Sequence, residues 1–379
     1  MVLLGMLVMI SSFDLITIYV GLEISSIGIY ALVGYINPSR ASLEGGMKYF
    51  VLGSLSSAFL LFGFGLLYLS FGTLNLAEML TKLYQYFEFK AWINTGILLV
   101  LIGLAFKLAL FPFHMWAPDV YESAPTGITG FMATTMKVMI ILVIMRFSAL
   151  GSITSFHQWL PAMFFMAAAS MLVGNVLALV QTNIKRTIAY SAIAHSGYIA
   201  IGLCAMGSLQ VLPYKAVLFY LIIYCTTSLL AFGCLMFMET NTRENIHLSH
   251  LKGLAQKRPW LCLAFSIALL SFAGLPPTVG FLGKFFIFNE AIKGQLFPLV
   301  IIGVIGSVIS LYYYLRIIVY MYMHQPSPDT IETKQEQPLL LQNLMVLPFA
   351  LLLLVGTLFP APIMKYLDPI VKTIAVRQK

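Results

Sequence analysis

A lysine or glutamate at the centre of a lipid bilayer costs about 2.5–3.5 kcal/mol on insertion scales, so it persists only with a partner or a task. Four such residues stand inside long apolar runs: Glu23 in LITIYVGLEISSIGIYAL, Lys107 in LLVLIGLAFKLALFPF, Lys137 in FMATTMKVMIILVI and Lys284 in GLPPTVGFLGKFFIF. His195, in IAYSAIAHSGYIAI, is a fifth titratable group of this kind. The chemistry these side chains share is proton binding and release. Burial favours the neutral amine and a nearby carboxylate favours the ammonium, so moving or neutralising the carboxylate makes a buried lysine shed its proton. The plainer alternative is that each lysine snorkels or pairs structurally, but snorkelling suits a helix end and these lie well inside their runs. Together they point to a proton or ion pathway. For His195 a neutral imidazole bonded across helices stands beside a relay as an equal reading.

The elements that must position these residues are membrane helices. Sixty per cent of the 379 residues are hydrophobic and nine per cent charged, against roughly a quarter charged in a soluble domain. The net charge of +8 is spread over short loops and the C-terminus and forms no stripe, which suits membrane orientation better than nucleic-acid binding. Cys204, Cys225, Cys234 and Cys262 show no C-x-x-C spacing, so they read as packing residues and not as ligands of an iron–sulfur cluster. The G-x-G-x-x-Y at 63–68 lies in an apolar run with no strand before it, which argues against dinucleotide binding. No H-x-x-x-H pair suggests haem or metal ligation.

A span takes about 20 apolar residues. On that scale the sequence predicts spans at 14–36, 44–71, 93–111, 125–147, 159–181, 187–207, 212–239, 259–292, 296–323 and 339–365. The mixed segment 73–90 is too polar to span and reads as an interfacial helix or loop. Met1–Ile10 is apolar but covers only ~15 Å as a helix, and is expected to be the end of a helix whose beginning is absent. Arg40, Lys48, Lys185, Arg186, Arg243, Lys252, Lys257, Arg258 and Lys334 fall on one side. Lys82, Lys90, Lys215 and Lys293 fall on the other, with Lys372, Arg377 and Lys379 on the tail. The richer side is expected to be cytoplasmic.

Two spans should be interrupted. Pro112 follows Lys107 and frees the carbonyl of Leu108, while Pro276 and Pro277 precede Lys284 and free those of Phe272 and Ala273. Broken backbone at membrane depth belongs where it is buried in protein or lines a polar cavity. A broken helix with a lysine, once in each half, is the pattern of inverted-repeat transporters. The expected units are a first five-helix repeat at 1–147, a second at 148–323, and a loop, final span and basic tail at 324–379.

The runs GLAFKLALFPFHMWAPDVYESAPTGITGFMATTMK (103–137), NVLALVQTNIKRTIAYSAIAHSGY (175–198) and LSFAGLPPTVGFLGKFFIF (270–288), with the GLE of 21–23, carry a resemblance. They are similar to the antiporter-like subunits of respiratory complex I, and among these to the subunit N group of bacterial NADH:quinone oxidoreductase. The resemblance covers essentially the whole chain. It implies an all-α integral membrane protein of about ten full spans plus an N-terminal partial helix, the family fold having fourteen helices of which three leading ones are absent here. It also implies that Glu23, Lys107, Lys137 and Lys284 form a proton-translocating axis, with His114 and His195 as relays and Glu23 within reach of Lys107, directly or through one water. The driving reaction would lie in partner subunits, which carry NADH, FMN, iron–sulfur clusters and quinone. Other membrane-arm subunits, including neighbouring antiporter-like ones, are the implied partners, in the inner membrane of a bacterium. A subunit of a multi-subunit cation/proton antiporter is the alternative function, and a non-pumping assembly scaffold a third.

Overall fold

The structure is a computed structural model that describes residues 1–35, 40–82, 90–151, 156–208, 213–239, 246–326 and 339–376. In hydrocarbon every backbone amide must be satisfied within its own segment, and the apolar runs fold accordingly as helices. The first are Val2–Ser11 (α1), Leu15–Tyr35 (α2), Arg40–Phe71 (α3), the short Leu76–Lys82 (α4) and Lys90–Lys107 (α5). Trp116–Ser123 (α6) and Thr126–Phe131 (α7) follow, and a π-helical turn at Met132–Met136 joins α7 to Lys137–Gly151 (α8). Then come Phe156–Leu179 (α9), Ile184–Ser208 (α10), Tyr214–Met238 (α11), the one-turn Leu254–Lys257 (α12), Pro259–Ala273 (α13) and Val279–Lys293 (α14). Phe297–Met323 (α15), Leu339–Leu358 (α16) and Pro360–Val376 (α17) complete the chain.

Among the described residues, eight helical stretches are long and apolar enough to cross a membrane singly. The helix α10 is the hub: 94% of its most apolar window is buried, against 33% for α15 at the rim. That cover is what lets α10 carry Ser191, His195 and Ser196 at membrane depth.

Both expected interruptions are present. The helix α5 stops at Lys107 and α6 resumes at Trp116, while α13 stops at Ala273 and α14 resumes at Val279. The reading of 339–365 as one span is corrected: Val346–Leu358 and Pro360–Val371 meet at 96°. Pro360 disfavours helical backbone at Phe359, so the span ends there and α17 turns aside. Leu367 is buried while Tyr366 stays exposed, and Asp368 pairs with Lys215 at the start of α11. Lys185 and Arg186 also need correction, since they sit in the first turn of α10 and not in a loop. The segment 73–90 contributes α4, and its residues 83–89 lie outside the described residues, as do Arg243, Lys334, Arg377 and Lys379.

Two local arrangements recur. Asp14 caps α2, its Oδ1 accepting the amides of Ile16 and Thr17 at 3.0 and 3.1 Å. Around it Leu15 N–H donates to Leu74 and Leu76 N–H to Phe13. Asn183 caps α10 through the Arg186 amide at 3.2 Å, and Ile184 N–H donates to Ile246 while Leu248 N–H donates to Thr182. The pattern is the same, residue for residue. Likewise Arg146 of α8 donates to the Ser12 carbonyl at 2.6 Å and to that of Ile10, between α1 and α2. Arg316 of α15 does this to Leu179 and Gln181, between α9 and α10, at 3.0 and 2.5 Å.

Candidate functional site

All three lysines point inward: Lys107 and Lys137 are 3% exposed and Lys284 5%. The break after Lys107 places its amine against α2, where Nζ donates to Ser26 Oγ at 2.9 Å and to Tyr30 Oη at 3.1 Å. Residues 23, 26 and 30 share one face of α2. Glu23 therefore lies one turn from Ser26, and its Oε1 accepts instead from Ser57 of α3. Among the described residues Lys107 and Glu23 form no direct ion pair, so of the two expected arrangements only the indirect one remains. The hydroxyls of Ser26 and Tyr30 stand in the carboxylate's place.

Lys137 follows the π-helical turn directly, and its Nζ donates to the Ala192 carbonyl at 2.6 Å and to Ser196 Oγ at 2.8 Å. Ser196 in turn donates to the Leu108 carbonyl at 2.7 Å. That carbonyl is the one Pro112 leaves free, so a single hydroxyl joins the first break to the second lysine. At the other break the freed Ala273 carbonyl accepts from Lys284 Nζ at 2.9 Å. The freed carbonyls of Leu108 and Ala273 are thus met by buried side chains. Gly274 makes room there: its φ is +77°, and a Cβ would sit 2.9 Å from Lys284 Cδ.

His195 lies between the last two lysines in an aromatic cage. Lys137 Nζ stands 4.7 Å from the Tyr224 ring centroid and Lys284 Nζ 4.7 Å from that of Tyr198. The imidazole centroid is 5.3 and 5.7 Å from the same two rings. Its Nδ1 bonds Tyr220 Oη at 2.6 Å and its Nε2 meets Tyr314 Oη at 3.4 Å. Both nitrogens are thereby held, and the ring can take a proton on one and release it from the other. Among the described residues His114 has no hydrogen bond to the three lysines or to His195. It is buried in the first break, its ring 5.4 Å from that of Phe111, and Nδ1 has no hydrogen-bond partner among the described residues.

Sequence reasoning passed over Ser26, Tyr30, Ser196, Tyr198, Tyr220, Tyr224 and Tyr314. The available signals were helical spacing, with Tyr30 on the face of Glu23 and Tyr198 three residues after His195, and the density of tyrosine in apolar runs.

The segment 116–122 (WAPDVYE), within the run 103–137, is a clamp. Trp116 Nε1 donates to the Phe106 carbonyl at 2.9 Å and its ring stacks on Tyr49 at 4.4 Å. Asp119 bonds Arg186 at 2.9 Å and Lys48 at 3.2 Å, while Glu122 accepts from Arg186 at 2.8 Å and Asn183 at 3.0 Å. Nearby, buried Lys185 pairs with Glu239 at 3.0 Å and donates to the Ala124 carbonyl at 3.1 Å. Removing one partner of a fully buried pair costs about 3–5 kcal/mol. Glu239 is 29% exposed, so screening reduces this, and Glu239→Gln should cost about 1–2 kcal/mol. The check is a lowered thermal midpoint of the detergent-solubilised protein, with Lys185→Met/Glu239→Gln recovering most of the loss.

Comparison with known proteins gives a consistent picture. Residues 12–310 match the family described as NADH:quinone oxidoreductase/Mrp antiporter, TM. The chain is 40% identical over 332 residues to NADH-quinone oxidoreductase subunit N 2 of Roseiflexus castenholzii, covering 86% of this chain and 67% of that protein. It is similar to a chain of respiratory complex I from Thermus thermophilus solved with bound aureothin, at 33% identity and a TM-score of 0.81, over 95% of this chain and 77% of that one. Its fold is also that of a chain of the Mrp complex from Dietzia, with a TM-score of 0.84 at 20% identity, over 99% and 78% of the two chains.

Proposed function

The chain belongs to the NADH:quinone oxidoreductase/Mrp antiporter family of membrane proteins, and on that premise we propose that it is a membrane-arm subunit of a proton-translocating NADH:quinone oxidoreductase. Protons move laterally from the Glu23–Lys107 end, through Lys137 and His195, to Lys284. The observation that carries this is the burial of Lys107, Lys137, His195 and Lys284 together, with α10 between them: Ser196 bonds both Lys137 and the Leu108 carbonyl beside Lys107, His195 is its neighbour in α10, and the Tyr198 ring lies against Lys284.

The residues divide the work as follows. Lys107 holds a proton at Nζ against Ser26 and Tyr30, and the charge on Glu23, one turn away, sets how firmly it is held. When a change in a neighbouring subunit draws that charge off or neutralises it, the proton leaves toward the first break, where Ser196 and the Leu108 carbonyl face Lys137. Water entering the break completes this step. Lys137 passes the proton by way of water to His195, whose ring Tyr220 and Tyr314 orient by their hydroxyls, and Lys284 is the outlet. Electron transfer and its carriers (NADH, FMN, iron–sulfur clusters and quinone) belong to partner subunits. The proposed setting is the inner membrane of a bacterium, the face of Lys48, Arg186 and Lys257 being cytoplasmic.

In this reading 1–147 and 148–323 are two inverted five-helix units, with 324–379 appended. The paired arginine clamps and the paired cap arrangements support that division. The alternative, a cation/proton antiporter subunit, has the Mrp likeness behind it, but at 20% identity this speaks for the fold alone, against 40% to a subunit N.

The test is NADH-driven proton uptake in inverted membrane vesicles carrying the assembled complex. Lys137→Met should lower uptake at least tenfold, with the complex present at normal abundance on native gels. Undiminished uptake would remove Lys137 from the pathway. Sodium-for-proton exchange without NADH would favour the antiporter.

A further inference from the structure

A groove of about 540 Å³ opens between α13 and α16 on the outer surface of the bundle. Leu263 and Ile267 form one wall, Leu347 and Leu351 the other. Its mouth is of a different character, formed by Lys257, Arg258 and Trp260. The segment that carries them is docked beside the start of α10, through the Ile184–Ile246 and Leu248–Thr182 bonds. The mouth therefore opens on the face that holds Lys48 and Arg186, and the groove runs from there toward mid-membrane.

The electrostatics of the mouth select an occupant. Neither Lys257 nor Arg258 has a carboxylate partner among the described residues. Arg258 gives one guanidinium N–H to the Phe237 carbonyl at 3.3 Å, leaving the rest of its fork available. Both residues precede the first turn of α13, where Pro259 has no N–H and the amides of Trp260 and Leu261 have no intrahelical acceptor. Trp260 is 70% exposed, which suits a ring at headgroup level. Two further grooves lie on the apolar surface, one between α3 and α5 and one between the π-helical turn and α11, and neither is lined by a cation. Only the groove at α13, of these, joins positive charge at the interface to an apolar channel at lipid depth.

We infer that this groove binds one anionic phospholipid. Its phosphate lies against Lys257, Arg258 and the first turn of α13, and its acyl chains lie between α13 and α16. A basic pocket between membrane helices recognises an anionic headgroup in this way. A zwitterionic lipid brings its own ammonium to the two cations and loses the advantage. The cation pair at the mouth favours an anionic headgroup over a partner helix that offers an apolar face alone. The site is independent of the proton pathway and stands or falls apart from it.

The experiment uses the full chain, purified in mild detergent and delipidated. It is incubated with equal amounts of phosphatidylglycerol and phosphatidylcholine, and retained lipid is read by native mass spectrometry. Wild type should retain at least fivefold more phosphatidylglycerol. Lys257→Ala/Arg258→Ala should bring the two lipids level, and the charge-preserving Lys257→Arg/Arg258→Lys pair should keep the preference, which separates loss of charge from loss of fold. Equal retention by wild type, or an unchanged preference in the alanine pair, overturns the inference. So does a photo-crosslinker at Leu351, in the assembled complex in its native membrane, that captures another polypeptide in place of lipid.

Discussion

Lys107→Met abolishes proton uptake by the assembled complex while leaving its abundance close to normal. The methionine keeps the unbranched apolar stem and roughly the volume of lysine, so α5 still ends where it does and the packing around 3% exposed Lys107 survives. What it removes is the titratable atom that donates to Ser26 and Tyr30. Each of those two hydroxyl oxygens loses a donor but keeps its own O–H, and neither is left as a buried charge. Lys107→Arg does not restore uptake, because a guanidinium keeps its proton at any physiological pH. Glu23→Gln gives a milder loss. The carboxylate acts on Lys107 across a turn of α2, by its field and not through an ion pair, so its removal changes how firmly Lys107 holds the proton without removing the site. The measurement is NADH-driven acidification of inverted vesicles alongside NADH oxidation in the same preparation. A drop of at least tenfold is expected for Lys107→Met and a several-fold drop for Glu23→Gln, with slowed oxidation if the two processes are tightly coupled. Wild-type uptake by Lys107→Met in assembled complex sinks the role given to this lysine.

The buried lysines and the two breaks were legible in the sequence because both are violations of local rules. Charge inside an apolar run and proline inside a helix each need a reason that neighbours in sequence cannot supply, and α5 and α13 stop at Lys107 and Ala273 as those rules require. The partners were less legible. Helical periodicity puts Glu23, Ser26 and Tyr30 on one face of α2, but it does not say which of them Lys107 reaches across the gap between helices. That depends on the depth at which α2 and α5 cross. The same limit hid the cage around His195, whose tyrosines come from α10, α11 and α15. Lys185 looked like a loop cation because its run is polar, yet the capping side chain of Asn183 starts α10 before it and Glu239 compensates its charge.

The arginine clamps show another kind of information that one sequence conceals. Arg146 and Arg316 stand in unlike contexts, MRFSAL and LRIIVY, and no shared motif links them. Each nevertheless ties the fifth helix of its proposed unit to the turn between the first and second, by two backbone carbonyls. A backbone carbonyl is indifferent to the side chain attached to it, so the arrangement can persist while the sequence around it changes. In the sequence the proposed repeat is therefore marked only by the broken helices.

Gly280→Ala prevents the second break from assembling and lowers the amount of complex severely. A Cβ on Gly280 would stand 1.9 Å from the backbone oxygen of Ser271, 2.7 Å from its carbonyl carbon and 2.8 Å from its Oγ. Most overpacking is relieved by rotating a side chain, at about 1–3 kcal/mol. Here the opposing atoms are mainly backbone, and they belong to the last turn of α13, which cannot yield without moving the Ala273 carbonyl that Lys284 bonds at 2.9 Å. Either α14 shifts away from α13 or the last turn of α13 unwinds, and each route displaces Lys284, the proposed outlet. The expected cost exceeds the usual overpacking range, at more than about 3 kcal/mol, enough for little assembled protein to survive. Gly65→Ala and Gly233→Ala are the controls, because nothing lies within 4 Å of a Cβ at either position, and both should accumulate as wild type does. The readouts are complex abundance on native gels and, for any Gly280→Ala that assembles, the thermal midpoint in detergent together with proton uptake per complex. Normal abundance with an unchanged midpoint would mean that α13 and α14 do not meet as closely as the structure has them.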